Sequence, residues 1–260
     1  CSAITLSTGS IHQLRRSGRL QKTERPVRRG IRTVIKVLKL NVREKEILLR
    51  SYFLSELAPA TAARIVEHVT VASHEARDPI FKQGEKADYF FTVLTGFVRV
   101  FRLSKDGREA DIGIYGPGET FAEGVMFNGG THRFCAQSAE AVTLARYEVD
   151  KIRHFASMDP AIGIALMASL SRNLDQALEC VADDRLHTAP QRVANFILQN
   201  CPDNASTARF RLPFQKSLLA GKLGLAPEAL SRAFSALKSA GVSVHGRIIE
   251  IGDVNALRNF

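Results

Sequence analysis

The sequence predicts an α+β protein in three parts: a small antiparallel β-barrel or roll, one long helix, and a C-terminal winged helix-turn-helix. Three observations predict it. Short alternating or apolar runs punctuated by glycine fill residues 71–147, the texture of an antiparallel all-β unit. An apolar stripe at intervals of three and four runs from Ile162 to Val181, the period of a helix. Two short amphipathic stretches meet at Gly224 and lead into an alternating hairpin, as in a helix-turn-helix followed by a wing.

The chain of 260 residues has room for two domains. It is 45% apolar and 24% charged, the balance of an ordinary globular protein. No run reaches the roughly 18 apolar residues that suggest a membrane span, and no secretory pattern is found, so a cytoplasmic location and no membrane partner are expected. Cys1, Cys135, Cys180 and Cys201 are scattered and form no C-x-x-C pair, which argues against a zinc ribbon or a disulfide framework. Residues 1–45 hold twelve Lys/Arg against two acids, which accounts for the whole net charge of +10. They are read as a basic, disordered tail on which no function is rested.

The sensor domain is expected over 46–158. Two short helices, Ile47–Leu54 and Thr61–Val69, lie around Pro59. Strand-like runs follow at 79–84, 89–96, 97–103, 110–115 and 142–147, with turns at Gly84, Gly96, Asp106-Gly107 and Pro117-Gly118. The long helix is expected over 159–184, opened by Pro160 and striped by Ile162, Leu166, Leu170, Leu174, Leu178 and Val181. Such a stripe can bury against the roll of its own chain, or against its twin in a parallel homodimer. The homodimer is the expectation, since DNA readers of this kind work in symmetric pairs.

The last part spans 189–260. Leu218, Leu219 and Leu223 mark the inner side of a first helix, Gly224 allows the left-handed turn, and Pro227 suits the first turn of a second helix. Leu230, Phe234 and Leu237 face inward on that helix, leaving Glu228, Ser231 and Arg232 outside. Arginine donates to guanine O6/N7, glutamate accepts from cytosine N4, and serine serves either kind of edge. Lys216 and Lys238 complete the DNA-binding set. The plain alternative is a helical hairpin with Glu228 and Arg232 joined as an i,i+4 surface pair. Residues 241–251 alternate and turn at His245-Gly246, which favours a wing and therefore DNA.

From about Glu46 to the end, this order of parts resembles the Crp/Fnr transcription regulators, with their cyclic-nucleotide-binding-type β-roll, long dimerisation helix and winged helix. Framework positions Phe90, Val93, Leu94, Gly96, Val98, Arg99 and Val100, then Asp106-Gly107-Arg108-Glu109 and Gly116-Pro117-Gly118-Glu119-x-Phe121, carry the likeness. Glu228-x-x-Ser231-Arg232 is similar to the E-x-x-S-R signature of the Fnr-like branch. The resemblance implies double-stranded DNA of the palindromic form TTGAT-N4-ATCAA and RNA polymerase as partners, with Arg232 on guanine.

The resemblance also bears on the signal. Members that bind cyclic AMP carry F-G-E followed by an Arg-Ser or Arg-Thr pair. Here the sensor-pocket residues are Ala122, Glu123, Arg133 and Phe134, so a Cβ and a phenyl ring stand where the nucleotide would lie, and cyclic AMP is not expected. Cys1 and Cys135 cannot supply four thiolates, so no iron–sulfur cluster is expected. Phe121-Ala-Glu-Gly-Val-Met-Phe127 is similar to a run in the dissimilatory nitrate respiration regulators, which implies nitric oxide or low oxygen as the signal and haem b as a cofactor. Among His68, His74, His132, His154, His187 and His245, the best-placed axial ligands are His132, beside the pocket, and His187, near the hinge. A cyclic-AMP-responsive regulator and a ligand-independent regulator controlled by abundance are the alternatives. Cupin metal triads, G-x-S-x-G, Walker and H-E-x-x-H motifs are missing from the sequence, so no enzyme is expected.

Overall fold

The computed structural model describes residues 39–202 and 205–260; most of the expected tail lies outside them. Helix α1 (Val42–Leu49) starts inside the stretch assigned to that tail. The reason is local. The Asn41 side chain accepts from the Glu44 N–H (2.8 Å) while Glu44 accepts from the Asn41 N–H (2.9 Å), a reciprocal cap that sets the helix start. Helix α2 (Pro59–Val66) begins at its proline, two residues before the expected Thr61.

Eight strands follow: β1 (Thr70–His74), β2 (Pro79–Phe81), β3 (Tyr89–Thr95), β4 (Val98–Leu103), β5 (Glu109–Tyr115), β6 (Thr120–Phe121), β7 (Cys135–Ser138) and β8 (Val142–Glu148). They form two antiparallel sheets, ordered β1-β8-β3-β6 and β2-β7-β4-β5. This is the roll. Phe81, Phe91, Val93, Val98, Val100, Phe121 and Leu144 fill its interior. On its other side Phe90 stacks on Tyr147 with ring centroids 4.6 Å apart, and Phe53 meets both edge-on under the small helices.

Helix α3 (Val149–Met158) was not anticipated, although Val149, Ile152 and Phe155 carry its period and the first two are buried. Helix α4 (Pro160–Leu186) has 27 residues, which makes it about 40 Å long. Its apolar residues divide between two faces, which corrects the single stripe read from the sequence. Ile162, Ala165 and Leu166 are buried on the sensor domain. Ile164, Met167, Leu174, Leu178 and Val181 are instead exposed, each by 48% or more. With Ser171 between them, these positions alternate spacings of three and four, the repeat of a two-helix seam.

The C-terminal unit contains α5 (Ala189–Gln199), β9 (Ala208–Arg211), α6 (Lys216–Lys222), α7 (Pro227–Leu237), β10 (Val242–His245), β11 (Ile248–Ile251) and α8 (Val254–Arg258). The wing has three strands, ordered β10-β11-β9. His245 pairs with Ile248, so the two-residue loop is Gly246-Arg247, one position beyond the expected turn. Gly246, at φ 60°, supplies the left-handed loop residue. Helix α6 rests on β5: a Cβ at Gly221 would collide with the Asp111 carboxylate, and Phe97 meets Phe214 edge-on at 5.1 Å.

Candidate DNA-reading surface and sensor cavity

Leu219, Ala220, Leu230, Ala233, Phe234 and Leu237 close the core between α6 and α7. The turn joining them is held by Gly224 at φ 61° and by the Leu225 N–H donating to the Ala220 carbonyl at 2.8 Å. Pro227 starts α7 as expected. Glu228, Ser231 and Arg232 all lie exposed on its outer face. Among the described residues, Glu228 and Arg232 form no ion pair with each other or with another side chain, so the surface-pair alternative is not what the geometry shows.

Lys216, Ser231 and Lys238 share a groove of about 320 Å³ between α6, α7 and the wing. Lys216 is half-buried, with its Nζ 5.8 Å from the centroid of Phe234, whereas Lys238 is exposed at the C-terminal end of α7. Ser235 also lines this groove and donates to the Ser231 carbonyl at 3.1 Å. The sequence reading passed over it, although it stands four residues after Ser231 on the same ridge. Arg247 of the wing donates from Nε to the Leu212 carbonyl at 2.9 Å and from Nη2 to the Pro213 carbonyl, tying the wing to the approach of α6.

In the roll, Ala122, Glu123, Arg133 and Phe134 do come together. They line a cavity of about 200 Å³ with Tyr115, Asn128, His132, Leu170 and Asn173. Ala122 adopts φ 63°, the left-handed region that favours glycine, so the chain keeps a glycine-like bend with an alanine in it. Arg133 is exposed, and among the described residues it has no ion pair. Glu123 is 2% exposed and is already engaged: its Oε1 accepts from Ser169 Oγ (3.2 Å) and Asn173 Nδ2 (2.5 Å), both on α4. Asn173 Nδ2 also donates to the Thr120 carbonyl at 3.1 Å. Burial pushes the Glu123 carboxyl up to about 7, against the lowering effect of those donors.

Ser169 and Asn173 were missed in the sequence. Their signal was a polar pair four residues apart, following the buried positions 162 and 166 of the same helix.

The haem candidates lie apart. His132 is buried, stacks flat on Phe81 at 3.6 Å, and is held neutral by burial, its pKa lowered to about 4. His187 ends α4 and meets Asp183 through Nδ1 at 3.1 Å. No described cavity is lined by both. A haem does not fit the sensor cavity as it stands. Its space of about 200 Å³ falls below the roughly 300 Å³ at which small-molecule pockets begin, and its histidine wall is covered by Phe81. No group of three or more metal-ligating side chains is found among the described residues. No helix among them is long and apolar enough to cross a membrane.

A roll with a cavity, a long helix and a winged helix-turn-helix with an open reading face are together the architecture of a DNA-binding regulator. Residues 71–159 match the cyclic nucleotide-binding domain, and residues 191–260 match the Crp-like helix-turn-helix domain. The nitrogen fixation regulation protein FixK of Rhizobium meliloti is 28% identical over 205 residues, covering 78% of this chain and 90% of that protein. A CRP-like cAMP-activated global transcriptional regulator of Mycobacterium tuberculosis is 24% identical over 217 residues, covering 82% and 97%. A crystal structure from Ruegeria pomeroyi, classed with the cyclic nucleotide binding proteins, superposes with a TM-score of 0.61 at 30% identity over 84% of this chain and 96% of that one. The chain belongs to the Crp/Fnr family of DNA-binding transcription regulators and is not an enzyme.

Proposed function

We propose that the protein binds a TTGAT-N4-ATCAA-like palindrome as a homodimer and controls transcription by RNA polymerase in response to nitric oxide or low oxygen. The observation that carries the DNA reading is the exposed trio Glu228, Ser231 and Arg232 on the outer face of α7, whose side chains have no ion pair among the described residues. Arg232 donates to guanine O6/N7, and Glu228 and Ser231 take neighbouring base edges. Lys216 and Lys238, which line the groove beside Ser231, support phosphate contacts flanking those base edges. The open seam of Ile164, Met167, Leu174, Leu178 and Val181 supports pairing of two α4 helices. The nitrogen-oxide signal rests on the local likeness of residues 121–127 to the dissimilatory nitrate respiration regulators.

A second reading of the signal has its own support. Glu123, which would otherwise receive a ribose hydroxyl, is satisfied by Ser169 and Asn173 of its own chain, as in a regulator that needs no ligand and answers to its abundance. Cyclic AMP is the weaker candidate, because Glu123 is engaged and both Ala122 and Phe134 line the cavity.

The test is fluorescence anisotropy on the palindromic duplex and on a scrambled one. It compares the protein alone, with cyclic AMP, and with haem and nitric oxide under anaerobic conditions. Sequence-selective binding that tightens only with haem and nitric oxide supports the gas signal and requires the cavity to open. Equal selective binding in every state supports control by abundance. Equal affinity for both duplexes refutes the base assignments.

A further inference from the structure

The joint between α4 and α5 is only His187 and Thr188, and it must set the angle between the long helix and the reading helix. Each half of the joint is tied locally: His187 to Asp183, and the Thr188 N–H to Gln191 Oε1 at 3.1 Å. Neither tie reaches across to the helix-turn-helix. Arg192, one turn into α5, does. Its Nη1 donates to Asp184 Oδ1 on α4 at 2.7 Å and to the carbonyl of Leu223 at 3.1 Å. Leu223 is the last residue before the left-handed Gly224 that turns the chain into α7. Only 11% of the Arg192 side chain is exposed, and its Nε is buried without a partner among the described residues. One guanidinium therefore bridges three elements beside a cavity of about 180 Å³ at the joint.

We infer that Arg192 is a positioning residue for DNA recognition, locking the turn of the helix-turn-helix to the end of α4 and so fixing the spacing of the two reading helices. The inference rests on the proposed homodimer. Each α4 would pack on its twin, so any rotation at the joint would swing both α7 helices relative to the DNA. Two half-sites are engaged only when the reading helices stand about one DNA turn apart. A loosened joint therefore harms binding to the correctly spaced pair and leaves a single half-site untouched. The bland alternative is an ordinary ion pair, since Asp184 is 64% exposed and exposed pairs count for little. The bond to a backbone carbonyl and the burial of Arg192 distinguish the two.

The experiment measures anisotropy of the full chain on three duplexes: half-sites separated by four base pairs, half-sites separated by five, and one half-site with the other scrambled. Arg192→Gln and Asp184→Ala are compared with the unmodified protein, and thermal melts record folding. Asp184→Ala is the safer variant because its side chain is exposed. Both variants are expected to lose affinity on the four-base-pair duplex by about 5–150-fold, the usual range of coupling between linked sites. Single-half-site affinity should stay unchanged, and preference for one spacing should flatten. The double variant should lose no more than Arg192→Gln alone, since Asp184 acts through Arg192. Retained spacing preference in both variants overturns the assignment. A uniform loss on all three duplexes overturns it too, since Arg192 would then merely hold the domain together. An unmodified protein indifferent to spacing refutes the two-half-site reading itself, and the Arg192 role falls with it.

Discussion

Replacing Glu123 by glutamine isolates what burial of one carboxyl does to this fold. Glu123 is 2% exposed, accepts from Ser169 and Asn173, and titrates near 7 in the folded chain against an ordinary 4.5. The sign follows from the direction of the shift. Below pH 4.5 the group is protonated folded and unfolded, and its contribution to stability is fully present. Between 4.5 and about 7 the folded chain holds a proton that the unfolded chain has released, so stability falls as pH rises. Above 7 both states are ionised and the loss levels off. At 1.36 kcal/mol per pH unit, that difference amounts to about 3 kcal/mol. Glutamine keeps an acceptor for Ser169 and Asn173 and cannot ionise. Urea denaturation of the sensor domain signal, followed from pH 4.5 to 8.5, should show Glu123→Gln gaining on the unmodified protein by up to about 3 kcal/mol as pH rises. The gap should open between pH 4.5 and 7 and stay constant beyond. Other groups facing the site are Tyr115, itself pushed well above its usual range chiefly by burial, and Arg133 on the same cavity wall. If the two proteins differ by the same amount at every pH, Glu123 is ionised throughout and the reasoning from burial is wrong.

Further outcomes are expected elsewhere. Arg232→Ala should weaken specific binding by about 1–3 kcal/mol and blur preference at one base pair in a mutated-site binding series; uniform weakening on all sequences would make it a phosphate contact. Leu174→Glu with Leu178→Glu, both exposed on α4, should leave the chain folded by circular dichroism yet monomeric in sedimentation, and a persisting dimer would move the interface elsewhere. Ala122→Gly relieves an alanine at φ 63° and should raise stability by about 1 kcal/mol in denaturant melts; a loss would show that its methyl packing outweighs the backbone strain. Gly221→Ala should disturb the contact of α6 with Asp111, seen as faster amide exchange in β5; unchanged exchange would mean that the contact yields freely.

How much of this was legible in the sequence depended on how far each cause reaches along the chain. The turn at Gly224, the start of α7 at Pro227 and the inward set Leu230, Phe234 and Leu237 were readable, because helix period and left-handed turns are set by near neighbours. The glycine-punctuated strands of the roll were readable for the same reason, whereas short β6 and β7 carried too few residues to show a period. The bend at Ala122 was visible only by its likeness to a glycine pattern; its φ of 63° had to come from the folded loop.

Amino-acid order by itself therefore determined most of the elements, their sequence and the outer face of the reading helix, though not α3, β6 or β7. Only the tertiary structure decided which apolar residues of α4 are buried, since Ile162 and Leu166 join the core of the N-terminal domain while Leu174 and Leu178 stay largely exposed among the described residues. A helical period says that a face is apolar and is silent about what covers it. Likewise, the partners of Glu123 stand 46 and 50 residues away, and Arg192 reaches 31 residues to the Leu223 carbonyl. Such contacts arise when distant segments are brought together by burial of the cores between them; a local pattern can mark a polar pair such as Ser169 and Asn173 on a buried face but does not say which residue it meets.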